Sequence, residues 1–445
     1  MKRGILWLLV LVITVSLIAT FSLASCKKET VPSDGVVSQE GVTTKAEVTK
    51  VKPHLIFWID NGVKMNWFED VVKDINANED FEVEISYKPT ADYIELLTAA
   101  AVGQSGFDID LEWSGSTSTL MRGLGGAYTP VNNLIQESTL SKLNQGTLAS
   151  NTDGKGNIWG VPVYTDINYM IYNKKILKDA GIDISKMPLT WEDFVNVCQK
   201  VKSNGIIPIT FANKETIMNE FWGIDMMYQY FDTPKDVKEY FLKGEFNNNV
   251  FRDLMTKYKY LFDEGYFDPA GQTLDFATNY FQKFASGKTA CIWTVGSLYN
   301  EIIKGGGIAE GDIGIQKHVQ FGDGKLNNFV PGLGFCVDIA KWTKYPKECA
   351  KVIEYLVSDK WQAELLTKYS IIPSNIDIKV NNMESLPDHV KFFFENGKNE
   401  FTVTPYEFLI GDQYEIWSRE ASLYLSGSIT FEEFAKELGA ASIVK

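Results

Sequence analysis

The chain has three histidines in 445 residues. His54, His318 and His389 are scattered, and none stands at metal-ligand spacing from another, so no metal centre is expected. Cysteine is nearly as scarce, with five in all. Cys26 stands near the start, whereas Cys198, Cys291, Cys336 and Cys349 sit in mostly apolar contexts. A chain this long builds a large core without staples, so these four read as buried free thiols. Basic residues are the minority, 43 against 57 acidic ones. That deficit argues against nucleic acid and anionic membrane surfaces as partners. Beyond the first 26 residues no apolar run is long enough to span a bilayer, and no repeat is visible. Two near-motifs also fail. Gly287-Lys288-Thr289 lacks the earlier glycine of a phosphate loop, Gln282 standing in its place. Gly103-Gln104-Ser105-Gly106 is followed by Phe107, where a nucleophile elbow needs its last glycine.

What the chain does have begins at its N-terminus. Lys2 and Arg3 precede an apolar run from Ile5 to Ile18 broken only by Thr14 and Ser16, and Leu23-Ala24-Ser25-Cys26 follows. A basic start, a short apolar core and small residues before a break form an export signal. The tetrapeptide looks like a lipobox, which makes Cys26 the expected lipidation site. Residues 1–25 are then a lipoprotein signal, and the rest stands on the extracytoplasmic face of a cell membrane. Without the signal the net charge deepens to −16. Residues 26–52, rich in Lys, Glu, Thr and Ser with no period, read as a flexible tether.

Order starts at Leu55–Ile59, a buried strand. Phe68, Val71, Val72 and Ile75 then recur at helical spacing. Glu82 to Tyr87 alternates as a strand does, Tyr93 to Val102 reads as a helix, and Asp108 to Trp113 as a strand. This alternation predicts a parallel sheet with crossover helices, an α/β fold. Ligands of such sheets bind beyond the carboxyl ends of the strands, where Asp60, Asn61, Trp113 and Ser114 stand. Further on, Thr190 is placed to cap a helix, with Asp193 at its third position. The length past the signal suggests two lobes.

Several stretches carry a resemblance. Gly160-Val161-Pro162, Ile171-Tyr172-Asn173-Lys174, Ala180-Gly181-Ile182 and Thr190-Trp191-Glu192-Asp193-Phe194 come first. Phe284 to Ala290, Lys347 to Ser358, and Leu425 to Phe434 follow in order. The set resembles the extracellular solute-binding proteins of family 1, the sugar-binding group that includes the maltose-binding proteins. Cys291, where methionine is common, is a departure. The resemblance implies a periplasmic-binding-protein-like fold, two α/β lobes joined by hinge strands around a ligand cleft. It puts the crossings near 161–168, 290–297 and 356–361. The first lobe is then 53–162 with 297–357, and the second 163–296 with 358–445. It also implies a carbohydrate ligand, no cofactor, no catalysis, and delivery to the permease of an ABC transporter.

A sugar presents weakly apolar C–H faces and hydrogen-bonding hydroxyls, so its cleft mixes aromatic rings with carboxylates and amides. Ten of the eleven tryptophans lie past the signal. Asp166 is the foremost polar candidate, because relatives carry a carboxylate at that register. Tyr164 lies on the same stretch. Trp113, Trp222 and Trp293 are the aromatic candidates. Tyr414 stands where relatives place an aromatic in the final helical region, with Trp417 as its rival. Two other readings share these features. One is a sensor lipoprotein that shows the same ligand to a receptor kinase. The other is a secreted glycoside hydrolase, which needs two carboxylates about 5–9 Å apart across a scissile bond.

Overall fold

The computed structural model describes residues 52–441, apart from 116–117, 187–189, 329–330, 380–382, 397–401, 404–408 and 410–411. The expected signal, the expected tether up to residue 51, and Cys26 lie outside the described residues.

The first strands are β1 (His54–Asp60), β2 (Glu82–Lys88) and β3 (Ile109–Trp113), with helices α1 (Asn66–Asn78) and α2 (Tyr93–Gly103) between them. Both pairings, β1 with β2 and β1 with β3, are parallel, as the crossover pattern predicts. A short helix α3 (Thr119–Leu124) follows. Next comes β4 (Gly160–Asn173), fourteen residues long and buried throughout. The second half of the chain supplies α4 (Trp191–Ser203), β5 (Ile207–Ile209), α5 (Ile217–Phe221), α6 (Asn249–Asp263), β6 (Thr289–Val295), α7 (Tyr299–Lys304), β7 (Ile313–Gln316) and β8 (Pro331–Ile339). After these run α8 (Pro346–Leu356), α9 (Asp359–Tyr369), β9 (Ile372–Pro373), α10 (Asp388–Asn396), α11 (Gln413–Leu425) and α12 (Phe431–Ala441).

One strand serves two sheets. Gly160–Ile167 of β4 pairs antiparallel with β8, which in turn pairs with β3. Asn168–Asn173 pairs with β6 and β7. The strand order β2-β1-β3-β8-β4-β6-β5 therefore runs from one lobe into the other through β4. The two largest hydrophobic clusters go with these two sheets, one around Phe57, Trp67, Val161 and Ile353, the other around Met170, Trp222, Tyr258 and Trp417.

The structure moves the expected boundaries. The resemblance implies a first crossing near 161–168, and the pairing of β4 changes from β8 to β6 between Ile167 and Asn168. Residues expected near a second crossing at 290–297 instead form β6, inside the second-lobe sheet. Tyr299, Ile302, Ile313 and Phe321, assigned to the first lobe, lie in the second-lobe core. The chain returns only at β8. Helix α9, assigned to the second lobe, packs on α1 of the first. Trp67 Nε1 donates to the Trp361 carbonyl at 2.9 Å. Lys360 pairs with Asp74 at 2.7 Å and Lys368 with Asp70 at 3.0 Å. Helical periodicity shows which face of a helix is buried, but not which of two cores receives it.

Candidate functional site

Each lobe turns the carboxyl ends of its parallel strands toward the β4 junction. In the first lobe, β1 ends at Asp60. Its Oδ1 accepts from the Gly62 N–H at 2.8 Å and the Thr90 hydroxyl at 2.5 Å, so this buried carboxylate caps the turn that follows. Asn61 beside it is exposed. The next strand end, Trp113, is half-buried, its ring 5.8 Å from Phe335. Ser114 is fully buried; its hydroxyl accepts from Gly334 N–H at 3.1 Å and laces β3 to β8. Tyr164 stacks on the other side of Phe335 at 4.6 Å and 18°. Asp60, Trp113, Phe335 and Tyr164 thus form one continuous floor.

At the junction, Asp166 is buried on β4 and reaches toward the end of β6. A methyl group at Gly296 would come within 3.2 Å of both the Asp166 carboxylate and the Tyr169 hydroxyl. Glycine is what lets β6 end this close. Tyr164, Thr165, Asp166, Gly296, Ser370 and His389 surround a small enclosed cavity here.

In the second lobe, β5 runs parallel to β6, so the loop after β5 lies on the same edge as Gly296. That loop carries Glu215 and Thr216, and Thr216 is held at φ +63°, left-handed backbone that costs a β-branched residue energy. With the first turns of α11 it lines an open pocket of about 560 Å³, shared by Tyr414, Glu415, Ser418 and Arg419. Tyr414 is half-buried, and its hydroxyl donates to Glu220 at 3.0 Å. Burial pushes the Glu220 carboxyl up to about 7 against that bond. Trp417, the rival to Tyr414, is fully buried and donates to the Asn219 carbonyl at 3.1 Å, so it belongs to the core.

Two aromatic expectations need correcting. Trp222 and Trp293 are fully buried. Both flank His318, with ring centroids at 4.9 and 4.1 Å. Trp293 sits mid-strand in β6, covered on both faces, and Trp222 stacks on Phe194 beneath α4. Their place is the second-lobe core.

A separate polar centre lies inside the first lobe. Asp110 and Glu112 on β3 and Asp338 on β8 bring carboxylate oxygens within 4.8 Å of one another, fully enclosed. Arg122 donates to Glu112 at 2.8 Å, Thr119 to Asp338 at 2.9 Å, and the Tyr128 hydroxyl lies 3.0 Å from both Asp110 and Glu112.

Sequence reasoning missed Glu215, Thr216, Glu220, Gly296 and His389. The signal for the first three was the three-residue strand Ile207-Pro208-Ile209, too short and too proline-marked to reveal its carboxyl edge.

The profile of the bacterial extracellular solute-binding proteins matches residues 70–390. An arabinooligosaccharide-binding protein of Halalkalibacterium halodurans is 30% identical over 155 residues, and the match spans only 33% of each chain. The sn-glycerol-3-phosphate-binding periplasmic protein UgpB of Brucella melitensis is 23% identical over 321 residues, 70% of this chain and 72% of that one. Among solved structures, a chitin oligosaccharide binding protein superposes with TM-score 0.74 at 19% identity, covering 87% of this chain and 98% of the other. The sugar-binding protein MalE of Xanthomonas citri gives 0.70 at 19% identity, over 87% and 96%. At such identities these two likenesses establish the fold.

Proposed function

The chain belongs to the bacterial extracellular solute-binding proteins, and on that premise we propose that it captures a neutral carbohydrate between its lobes. It is a binding protein and not an enzyme. A lipid on Cys26 tethers it to the outer face of the membrane, and it hands its ligand to the permease of an ABC transporter.

The observation that supports the ligand class is the charge at the strand ends and in the pocket after β5. Asp60 ends β1, Asp166 lies on β4 at the junction, and Glu215 and Glu415 line the second-lobe pocket with Arg419. Carboxylates accept strongly from sugar hydroxyls and repel a phosphate monoester. Relatives bind an arabinooligosaccharide in one case and sn-glycerol-3-phosphate in the other; the acidic edges favour the first kind of ligand. Trp113 and Tyr414, half-buried on opposite lobes, supply rings for the sugar faces. Two separated rings suit an oligosaccharide better than a monosaccharide.

Thermal unfolding of the mature protein with arabino-, xylo-, chito- and malto-oligosaccharides, sn-glycerol-3-phosphate and amino acids tests this. Ligand at 100 times its dissociation constant stabilises the fold by about 2.7 kcal/mol. One oligosaccharide should raise the melting temperature and be recovered intact, and the phosphate should not. Cleaved glycan would make the protein a hydrolase, and a shift with the phosphate alone would overturn the neutral-ligand reading. Tyr414→Ala should then weaken binding of the active glycan by about 1–3 kcal/mol.

A further inference from the structure

We propose that His389 is a pH-sensitive latch on the hinge, whose neutral imidazole holds the two lobes together and whose protonation lets them part. The inference rests on the hinged two-lobe reading but not on the identity of the ligand.

Helix α10, which carries His389, belongs to neither lobe alone. Its Val390 packs with Leu366 of α9, a first-lobe helix, and its Phe393 lies in the second-lobe core. His389 repeats this division within one side chain. Its Nε2 lies 2.9 Å from the carbonyl of Ser370, at the end of α9. Its ring lies 4.5 Å from that of Tyr299 on α7 and 6.5 Å from that of Tyr169 on the second-lobe half of β4. A change of angle about β4 would pull these contacts in different directions.

The chemistry of the contact fixes the tautomer. A carbonyl oxygen only accepts, so Nε2 carries the hydrogen and Nδ1 holds the lone pair. A proton taken up must therefore go to Nδ1. That atom is buried and has no hydrogen-bond partner among the described residues, and the residue as a whole is 1% exposed. Protonation would thus create a buried charge and a buried donor without an acceptor. The ionisable groups around the ring are Tyr164, Asp166 and Tyr169 on β4, Tyr299 on α7, and Asp388 on its own helix, itself paired with Lys391 at 3.3 Å. The adjoining strand β7 brings none. Burial accordingly holds the imidazole down, from 6.5 to about 4.

The sign follows. With the lobes apart the ring meets water and regains its ordinary affinity for a proton, so the open form binds more protons between about pH 6.5 and 4. Acidification through that window shifts the balance toward the open form by up to about tenfold per pH unit. A ligand held between the lobes would be released in acid.

The test needs no ligand, so its failure would leave the carbohydrate reading standing. The radius of gyration is followed by small-angle scattering from pH 7 to 4, with circular dichroism to verify that the fold persists. In parallel, the ring nitrogens of the three histidines are titrated by NMR. The wild type should expand as the His389 signal titrates, and His389→Gln, which keeps a neutral donor toward Ser370, should not. Equal expansion in both proteins, or none in either, would overturn the proposal. Should the variant fail to fold, the wild type still decides: expansion out of step with the His389 signal overturns it, and coincident midpoints sustain it.

Discussion

Asp110, Glu112 and Asp338 show how much a single buried group can ask of its neighbours. The Tyr128 hydroxyl has one hydrogen and lies 3.0 Å from two carboxylates, so one of the two contacts needs a proton on the acid. Burial, with Glu112 adding to it, holds Asp110 well above the usual carboxylate range. Burial, with Asp110 and Glu112 adding to it, does the same for Asp338. A folded-state value raised above the unfolded one means that the folded chain keeps protons the unfolded chain releases. Stability from these groups is full below about pH 4 and falls as pH rises toward the folded values. Asp110→Asn should therefore lose less stability than the wild type between about pH 5 and pH 8, as read by urea unfolding. Parallel profiles would show that the cluster is not protonated. Trp293 invites a different comparison. Its indole N–H has no acceptor among the described residues, so its contribution is packing. Trp293→Ala should cost roughly 3–5 kcal/mol and Trp293→Phe less than half of that, measured by denaturant titration. Such residues were only partly legible. The strand ends expected at Asp60 and Trp113 are where β1 and β3 stop, and Asp166, expected on the hinge from the resemblance, lies within β4. The carboxylate cluster was invisible, because Asp338 meets Asp110 only through the pairing of β3 with β8.

Helices with strong local signals came through intact. Thr190 caps α4, its hydroxyl accepting from the Asp193 N–H at 3.2 Å and donating to the Asp193 carboxylate at 2.9 Å. Thr190→Ala should destabilise the protein by about 1 kcal/mol, and Thr190→Ser by much less, in equilibrium unfolding. The first five elements were equally clear, since their periods are clean and their packing is local. Elements buried on both faces were not. β4 and β6 show no alternation, because water touches neither side of them. Without alternation nothing distinguishes a strand residue that looks into a cleft from one that looks into a core, and Trp293 was misplaced for that reason. Gly160 gives a milder case. Its residue type was noted only as part of a motif, yet a Cβ there would overlap the Asp338 carboxylate. The glycine exists because a strand and a buried acid share that space.

Lobe membership depends on the whole molecule, and here the sequence says least. Two interleaved cores draw helices from distant parts of the chain, and only long-range packing decides which core receives α7 or α9. The route of the chain has a further consequence, for the order in which the molecule can be made. β8 lies between β3 and β4, and it is synthesised last of the three. A nascent chain, whether leaving a ribosome or an export channel, presents β3 and β4 as two open edges some 160 residues before their filler arrives. Unfilled edges of buried, apolar strands recruit other chains. Synthesis halted at residue 330 should yield a product that aggregates or is rapidly digested in limited proteolysis, whereas a halt after Ala441 should not. A protease-resistant short product would mean that the sheet closes on its own. Otherwise, for most of its birth, this protein depends on being kept from folding.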